Sequence, residues 1–160
     1  LRHGIEHCNG KYIIMGDADD SYNFLELSLF IERLQAGYDM VMGNRFAGGI
    51  TKGAMPWLHR YVGNPFLSSL GRFLFKNNIG DFHCGLRAFT KKCYNIINPQ
   101  CNGMEFASEL VALASIHQMR ICEIPVTLYP DGRKRRPHLR SWRDGFRHMV
   151  LLYSLYLLRN

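Results

Sequence analysis

The chain has no CxxC pair, no P-loop string and no apolar run of membrane-spanning length. Its five cysteines, Cys8, Cys84, Cys93, Cys101 and Cys122, are odd in number and widely spaced. That pattern argues against a disulfide framework or a zinc site and fits a reducing compartment. Without GxxxxGK[ST], phosphate binding of the Walker type is excluded. The apolar stretch from Met149 to Leu158 is about half of the roughly 20 residues a bilayer span needs. Acidic residues are in short supply, 13 against 20 basic ones, for a net charge of +7. The excess favours acidic partners: phosphorylated substrates, nucleic acid or an anionic membrane surface. Internal repeats and low-complexity tracts are absent too. What remains, 47% apolar and 21% charged over 160 residues, reads as one globular unit with a core of its own. The chain opens on Leu1 and breaks off in an apolar stretch, so a segment of a longer protein is expected.

Strand and helix patterns alternate. Tyr12 to Met15 reads as a buried strand that runs into carboxylates, and Asp39 to Gly43 as a second strand. Between them, Asn23 to Ala36 has helical spacing, with Leu25, Leu29, Phe30 and Leu34 on one side and Gly37 as a stop. After a Gly-rich loop, Pro56 opens a long helical stretch. Its candidate core positions are Trp57, Tyr61, Phe66, Leu70, Phe73 and Leu74, with a kink expected at Gly63-Asn64-Pro65. A possible strand ends near Thr90, a helix covers Glu105 to His117, and Ile121 to Leu128 alternates as a strand. Pro125 marks the last of these as an edge or a bulge. The alternation implies an α/β domain. Residues 1–140 form its body, and 141–160 a separate amphipathic helix.

The chemistry begins at Gly16-Asp17-Ala18-Asp19-Asp20. Three carboxylates in four positions repel one another and raise each other's pKa. A divalent cation would relieve that cost, and Mg²⁺ or Mn²⁺ takes one or two protein carboxylates with substrate phosphates in the other positions. A solvated turn, with Asp20 or Ser21 as N-cap of the next helix, is the plainer alternative. A calcium EF-hand loop starting at Asp17 fails, because Tyr22 and Ser28 stand where Gly and Glu are required. A phosphatase with an Asp nucleophile fails for want of a downstream acidic pair.

Taken in order, several strings resemble inverting family 2 glycosyltransferases of the GT-A fold, those similar to dolichol-phosphate-mannose synthase above all. They are Gly16 to Asp20, Gly43-Asn44-Arg45-Phe46, Asp81 to Phe89, Gly103 to Glu109, Gly132 to Arg135, and Trp142 to Gly145. The resemblance implies a Rossmann-like mixed sheet flanked by helices, with the nucleotide-binding opening strand lying before Leu1. It implies a nucleotide-sugar donor, a polyprenyl (dolichyl or undecaprenyl) phosphate acceptor and Mg²⁺ or Mn²⁺. A related transferase with a soluble or glycan acceptor is the alternative. A basic nucleic-acid-binding module is remote, because only Trp142 and Phe146 interleave with the basic residues, so no nucleic-acid partner is expected.

The same resemblance assigns roles. Asp17 and Asp19 hold the metal. Asp20 either touches the metal's water shell or the sugar, or serves only as a cap. Asp81 is the candidate general base on the acceptor side, although an acceptor phosphate already ionised needs little deprotonation. Arg45 and Arg87 are candidate phosphate contacts through bidentate pairing. Glu105 and Glu109, one helical turn apart and so on one face, are placed on the acceptor side; the resemblance has one of them lining the site, with no choice between them from spacing. His83 reads as a loop residue, since no metal-ligand spacing follows it. Arg133 and Lys134, with Arg135 and Arg136, form a basic loop over the donor or acceptor phosphates. Arg133 stands where the family often has Ser. The basic C-terminal helix fits a membrane surface at the cytoplasmic face, or equally a helix packed on its own domain.

Overall fold

A computed structural model describes residues 1–132 and 141–159. Four short strands form one sheet: β1 (Tyr12–Met15), β2 (Met40–Asn44), β3 (Arg87–Thr90) and β4 (Ile121–Pro125). Their spatial order is β1-β3-β2-β4. β3 runs antiparallel to both neighbours, while β2 and β4 pair in parallel. β1, β2 and β4 therefore point the same way, and their C-terminal ends share one edge of the sheet with the entry to β3. β4 lies at the side of the sheet and ends on Pro125, a place where a missing N–H costs no ladder bond.

Both faces of the sheet are covered. Side chains alternate along each strand, so Ile13, Met40, Met42 and Phe89 go to one face and Val41 and Ala88 to the other. The first face is packed by α1 (Arg2–Glu6), α5 (Lys91–Ile97) and α6 (Phe106–Ile116), through Ile5, Ile97, Leu110 and Val111. The second is packed by α2 (Leu27–Gln35), through Phe30 and Leu34. α6 is apolar on nearly every side, and its outer flank is buried in turn by α4 (Asn64–Phe75) and α7 (Ser141–Arg159) around Leu74, Phe75, Ala112 and Leu152. α3 (Arg45–Gly48) is a single turn, capped by Asn44, whose side chain accepts from Ala47 N–H at 2.9 Å.

Pro65 sits in the first turn of α4, where its missing N–H is tolerated. A wider π-type turn over His59–Gly63 precedes it, so the expected break becomes a local widening.

The expected core of this segment is corrected. Trp57, Tyr61, Phe66 and Phe73 are exposed, Phe73 by 81%, while Leu67, Ser68, Gly71, Leu74 and Phe75 are buried. The stretch is apolar on two sides, so periodicity alone does not choose between them. Small residues choose: a Cβ on Gly71 would stand 2.5 Å from the Phe82 ring, so only this face lets the ring approach. Leu25 and Leu29 are likewise exposed, leaving Phe30 and Leu34 as the inward positions of α2.

Replacing Leu74 by Ala should therefore lower stability by about 2–5 kcal/mol. Replacing its neighbour Phe73 by Ser should change stability by no more than about 0.5 kcal/mol. Urea unfolding of the full-length protein with each substitution distinguishes the two faces.

Candidate active site

The acidic loop leaves β1 at the shared edge and is held from two sides. Asp17 lies so close to Gly85 that a Cβ there would overlap its carboxylate. The hydroxyl of Tyr22, on a buried ring, accepts the Gly85 N–H at 3.0 Å. Burial pushes the Tyr22 hydroxyl pKa up. On the other side, Gly132 N–H donates to the Asp19 carbonyl at 2.9 Å and Tyr129 N–H to the Ser21 carbonyl at 3.0 Å. Asp19 Oδ1 accepts from Ser21 N–H at 3.2 Å and from the Ser21 hydroxyl.

Asp20 occupies the left-handed region at φ 65°, a conformation that Asp tolerates better than most residues. It is exposed and caps no helix. The helical turn begins two residues after Ser21, at Asn23, whose Oδ1 accepts Leu25 N–H at 3.1 Å. The cap that the plainer alternative put at Asp20 or Ser21 is Asn23 instead.

Across the sheet edge, Arg45 and Asp81 form a buried bidentate pair. Arg45 Nε donates to Asp81 Oδ2 at 2.6 Å and Nη2 to Oδ1 at 2.7 Å. Oδ2 also accepts Arg45 N–H at 3.1 Å, and Oδ1 accepts His83 N–H at 3.2 Å. A carboxylate offers about four lone-pair sites, and all of them are used. Burial alone would push the Asp81 carboxyl up, but the hydrogen bonds and charge of Arg45 outweigh it and hold the group below the ordinary carboxylate range. Arg45, despite its own burial, is held above its ordinary value by the same partner. Glu123 of β4 fixes the turn from behind, with Oε1 accepting both Gly80 N–H and Asp81 N–H at 2.9 Å. Nothing in the sequence around Glu123 signals that role, because it depends on β4 lying beside β2.

Three of the expected site residues are engaged by the protein itself. In this structure Asp81 anchors the edge, with its lone pairs taken up by Arg45 and His83. Arg87 is not presented to a phosphate. It is 1% exposed, with its guanidinium turned onto the carbonyls of Cys84 and of Ala107 (3.0 Å), tying the entry of β3 to α6. Glu109 accepts Gln100 N–H at 2.9 Å and Cys101 N–H at 2.7 Å, so it clips a turn rather than facing an acceptor. Glu105 pairs with Arg147 of α7. Arg133, Lys134, Arg135 and Arg136 lie outside the described residues. Gly132, which immediately precedes them in sequence, is the residue bonded to Asp19.

The glycosyl transferase family 2 profile matches residues 1–96. The chain belongs to glycosyl transferase family 2. It is 38% identical over 148 residues to the low-salt glycan biosynthesis hexosyltransferase Agl6 of Haloferax volcanii, covering 92% of this chain and 35% of that protein. It is 32% identical to a dolichyl-phosphate hexose transferase of the same organism, covering 71% of this chain and 48% of the relative. Glucosyl-3-phosphoglycerate synthase from Mycobacterium tuberculosis, crystallised with Mn²⁺, UDP-glucose and phosphoglyceric acid, superimposes with a TM-score of 0.65 at 15% identity. That match covers 96% of this chain and 52% of the other, and it shows a shared GT-A fold. The chain spans about a third to a half of the length of the family 2 relatives it matches.

Among the described residues, no group of three or more His, Cys, Asp or Glu side chains forms a closed metal cage. Asp17 and Asp19 carry the oxygen donors that a hard cation takes, with Asp17 seated against Gly85 and Asp19 turned to Ser21.

Substituting Asp81 by Asn should leave Arg45 uncompensated in the interior and lower stability by about 3–5 kcal/mol. The folded carboxyl lies below its unfolded value near 3.9. The pair's contribution is therefore complete above about pH 4 and is lost as pH falls through the lower folded value. Urea unfolding at a series of pH values should show wild type losing stability below about pH 4 and Asp81→Asn losing less over the same range.

Proposed function

We propose that the full-length protein moves a sugar, with inversion, from a nucleotide-diphosphate donor to a polyprenyl phosphate at the cytoplasmic face of a membrane. Residues 1–140 supply the acceptor-side and metal-binding part of the catalytic domain, and 141–160 the juxtamembrane helix. The observation that carries the choice of acceptor is the saturated carboxylate of Asp81. A hydroxyl acceptor needs a base with a lone pair to spare. A phosphate monoester, with its second pKa near 6, is already ionised at neutral pH and needs none. The similarity to a dolichyl-phosphate hexose transferase supports the lipid-linked form of that phosphate.

In the proposed step a phosphate oxygen bonds to the sugar's anomeric carbon from the face opposite the donor. The bond from that carbon to the donor's diphosphate breaks, and the nucleoside diphosphate leaves with the electron pair. Mg²⁺ or Mn²⁺ bound at Asp17 and Asp19 would neutralise charge growing on the leaving diphosphate. Gly132, bonded to Asp19, is followed in sequence by Arg133 and Lys134, whose positive charge would serve the donor or the acceptor phosphates. Asp20, exposed on the acidic loop, would touch the metal's water shell or the sugar.

The surface supports a membrane setting. Trp57, Tyr61, Phe66 and Phe73 are exposed along one segment that also carries Arg60, Arg72 and Lys76. Phe146, Val150, Tyr153 and Leu157 are exposed on α7, which carries Arg143 and Arg147. Aromatic and cationic side chains together suit the headgroup region. Among the described residues, no helix is long and apolar enough to cross a bilayer.

Labelled nucleotide sugars offered to the full-length protein with a polyprenyl phosphate in detergent should give a lipid-linked product that EDTA abolishes. Asp19→Ala should lower kcat by about 100-fold or more. Transfer indifferent to EDTA would remove the metal assignment. Product formed only on soluble or glycan acceptors would replace the acceptor with the second class.

A further inference from the structure

One buried polar cluster has no part in the reaction just described. Ser108 of α6, fully buried, places its Oγ 3.0 Å from His83 Nε2 and 2.7 Å from His148 Nδ1 of α7. The two rings meet edge to face at 4.8 Å. His83 donates its backbone N–H to Asp81 Oδ1 at 3.2 Å. One turn back along α6 and one residue back along α7, Glu105 pairs with Arg147. Around these contacts the α6–α7 interface is apolar, with Ala112 and Leu152 fully buried. An apolar side chain would pack there without the cost of burying two imidazoles and a hydroxyl, so packing alone does not explain the cluster.

Hydrogen-bond arithmetic gives it a direction. A hydroxyl has one proton and two lone pairs, so at least one imidazole donates to Ser108; its own proton, with no other acceptor bonded to Oγ among the described residues, goes to the second imidazole. Among the described residues, His83 Nδ1 is the one buried side-chain nitrogen or oxygen with no hydrogen-bond partner. A bare buried N–H is rarer than a bare acceptor, which assigns the proton of His83 to Nε2. The chain then runs from His83 Nε2–H to Ser108 Oγ, and from Ser108 O–H to His148 Nδ1. Both rings must be neutral for this. Burial depresses both, His83 to about 3, helped by the neighbouring His148, and His148 below its ordinary value.

We propose that Ser108 and His148 are positioning residues that act through His83 to fix the Asp81–Arg45 pair against α7. The activity readout rests on the transferase reading; the hydrogen-bond readout does not. The decisive pair of variants in the full-length protein is His148→Asn and His148→Leu. Asn places an acceptor close to where Nδ1 stood and keeps the bond to Ser108, whereas Leu fills the space and cannot accept. His148→Asn should keep kcat within about threefold of wild type. His148→Leu should lose at least tenfold in kcat with donor KM unchanged, since only alignment at the acceptor side is lost. Ser108→Ala should behave as His148→Leu does, and it serves if the Leu variant fails to fold. A role in packing alone predicts the reverse order, Leu active and Asn impaired, and that order would overturn the proposal, as would Ser108→Ala at wild-type rate. Nitrogen NMR of ¹⁵N-histidine-labelled protein reads the bond directly. The His83 Nε2–H signal should persist in His148→Asn and shift in His148→Leu. If wild type transfers no sugar to any phosphate acceptor, the functional reading fails while this signal still decides the hydrogen-bond chain; a signal unmoved in His148→Leu would overturn it.

Discussion

Two opposite charges buried side by side set the geometry on which the rest of this edge of the sheet depends. A lone Arg45 or a lone Asp81 in the interior would be very costly, and the pair is tolerable only because every lone pair of the carboxylate is met. Meeting them draws in several elements at once. Arg45 comes from the end of β2, Asp81 from the loop before β3, the Asp81 backbone is pinned by Glu123 of β4, and His83 closes the fourth site. Arg45, Asp81 and Glu123 lie on three different stretches of chain, so the arrangement depends on β2, β3 and β4 being in register. Packing of the strands and chemistry of the edge are thus one constraint.

Much of the fold is readable from periodicity because the strands bury alternate residues on two faces. β1, β2 and β4 fall where apolar runs meet turn residues, and α2, α6 and α7 where apolar spacing is helical. The helical stretch from Pro56 misleads for a physical reason. It is apolar on two sides, and the buried side is selected by Ser68 and Gly71, small residues that admit the Phe82 ring. A hydrophobic pattern weighs large side chains and so points to the wrong face. The short helices α1, α3 and α5 are invisible to a period count, because a turn or two of helix offers too few repeats.

The site divides in the same way. The acidic loop is legible because three carboxylates in four positions demand an explanation within the sequence itself. Arg87 and Glu109 are not, because residue type fixes what a side chain can bond but not whether the partner is a ligand or a backbone carbonyl or amide. Arg87 spends its donors on Cys84 and Ala107, and Glu109 its acceptors on Gln100 and Cys101. Tyr22, Glu123, Ser108 and His148 matter through contacts spanning between 25 and 63 residues along the chain, and no local motif announces them.

The two halves of the edge differ in how their charge is met, and that difference bears on mechanism. On the side proposed for the donor, Asp17, Asp19 and Asp20 lie at or near the surface, with the loop held through backbone bonds to Gly132 and Tyr129 and through the close seat of Asp17 on Gly85. The backbone is fixed, and a cation with its phosphates can complete the charge. On the side proposed for the acceptor, charge is completed internally, since Asp81 is neutralised by Arg45. A transferase that had to pull a proton from a hydroxyl would have to break that pair in each turnover, at a cost of the order of the 3–5 kcal/mol that separating a buried pair carries. An acceptor that arrives already ionised removes the need. In the proposed reaction the pair would stay closed, and its rigidity, carried outward by His83, would help align the acceptor oxygen with the departing diphosphate.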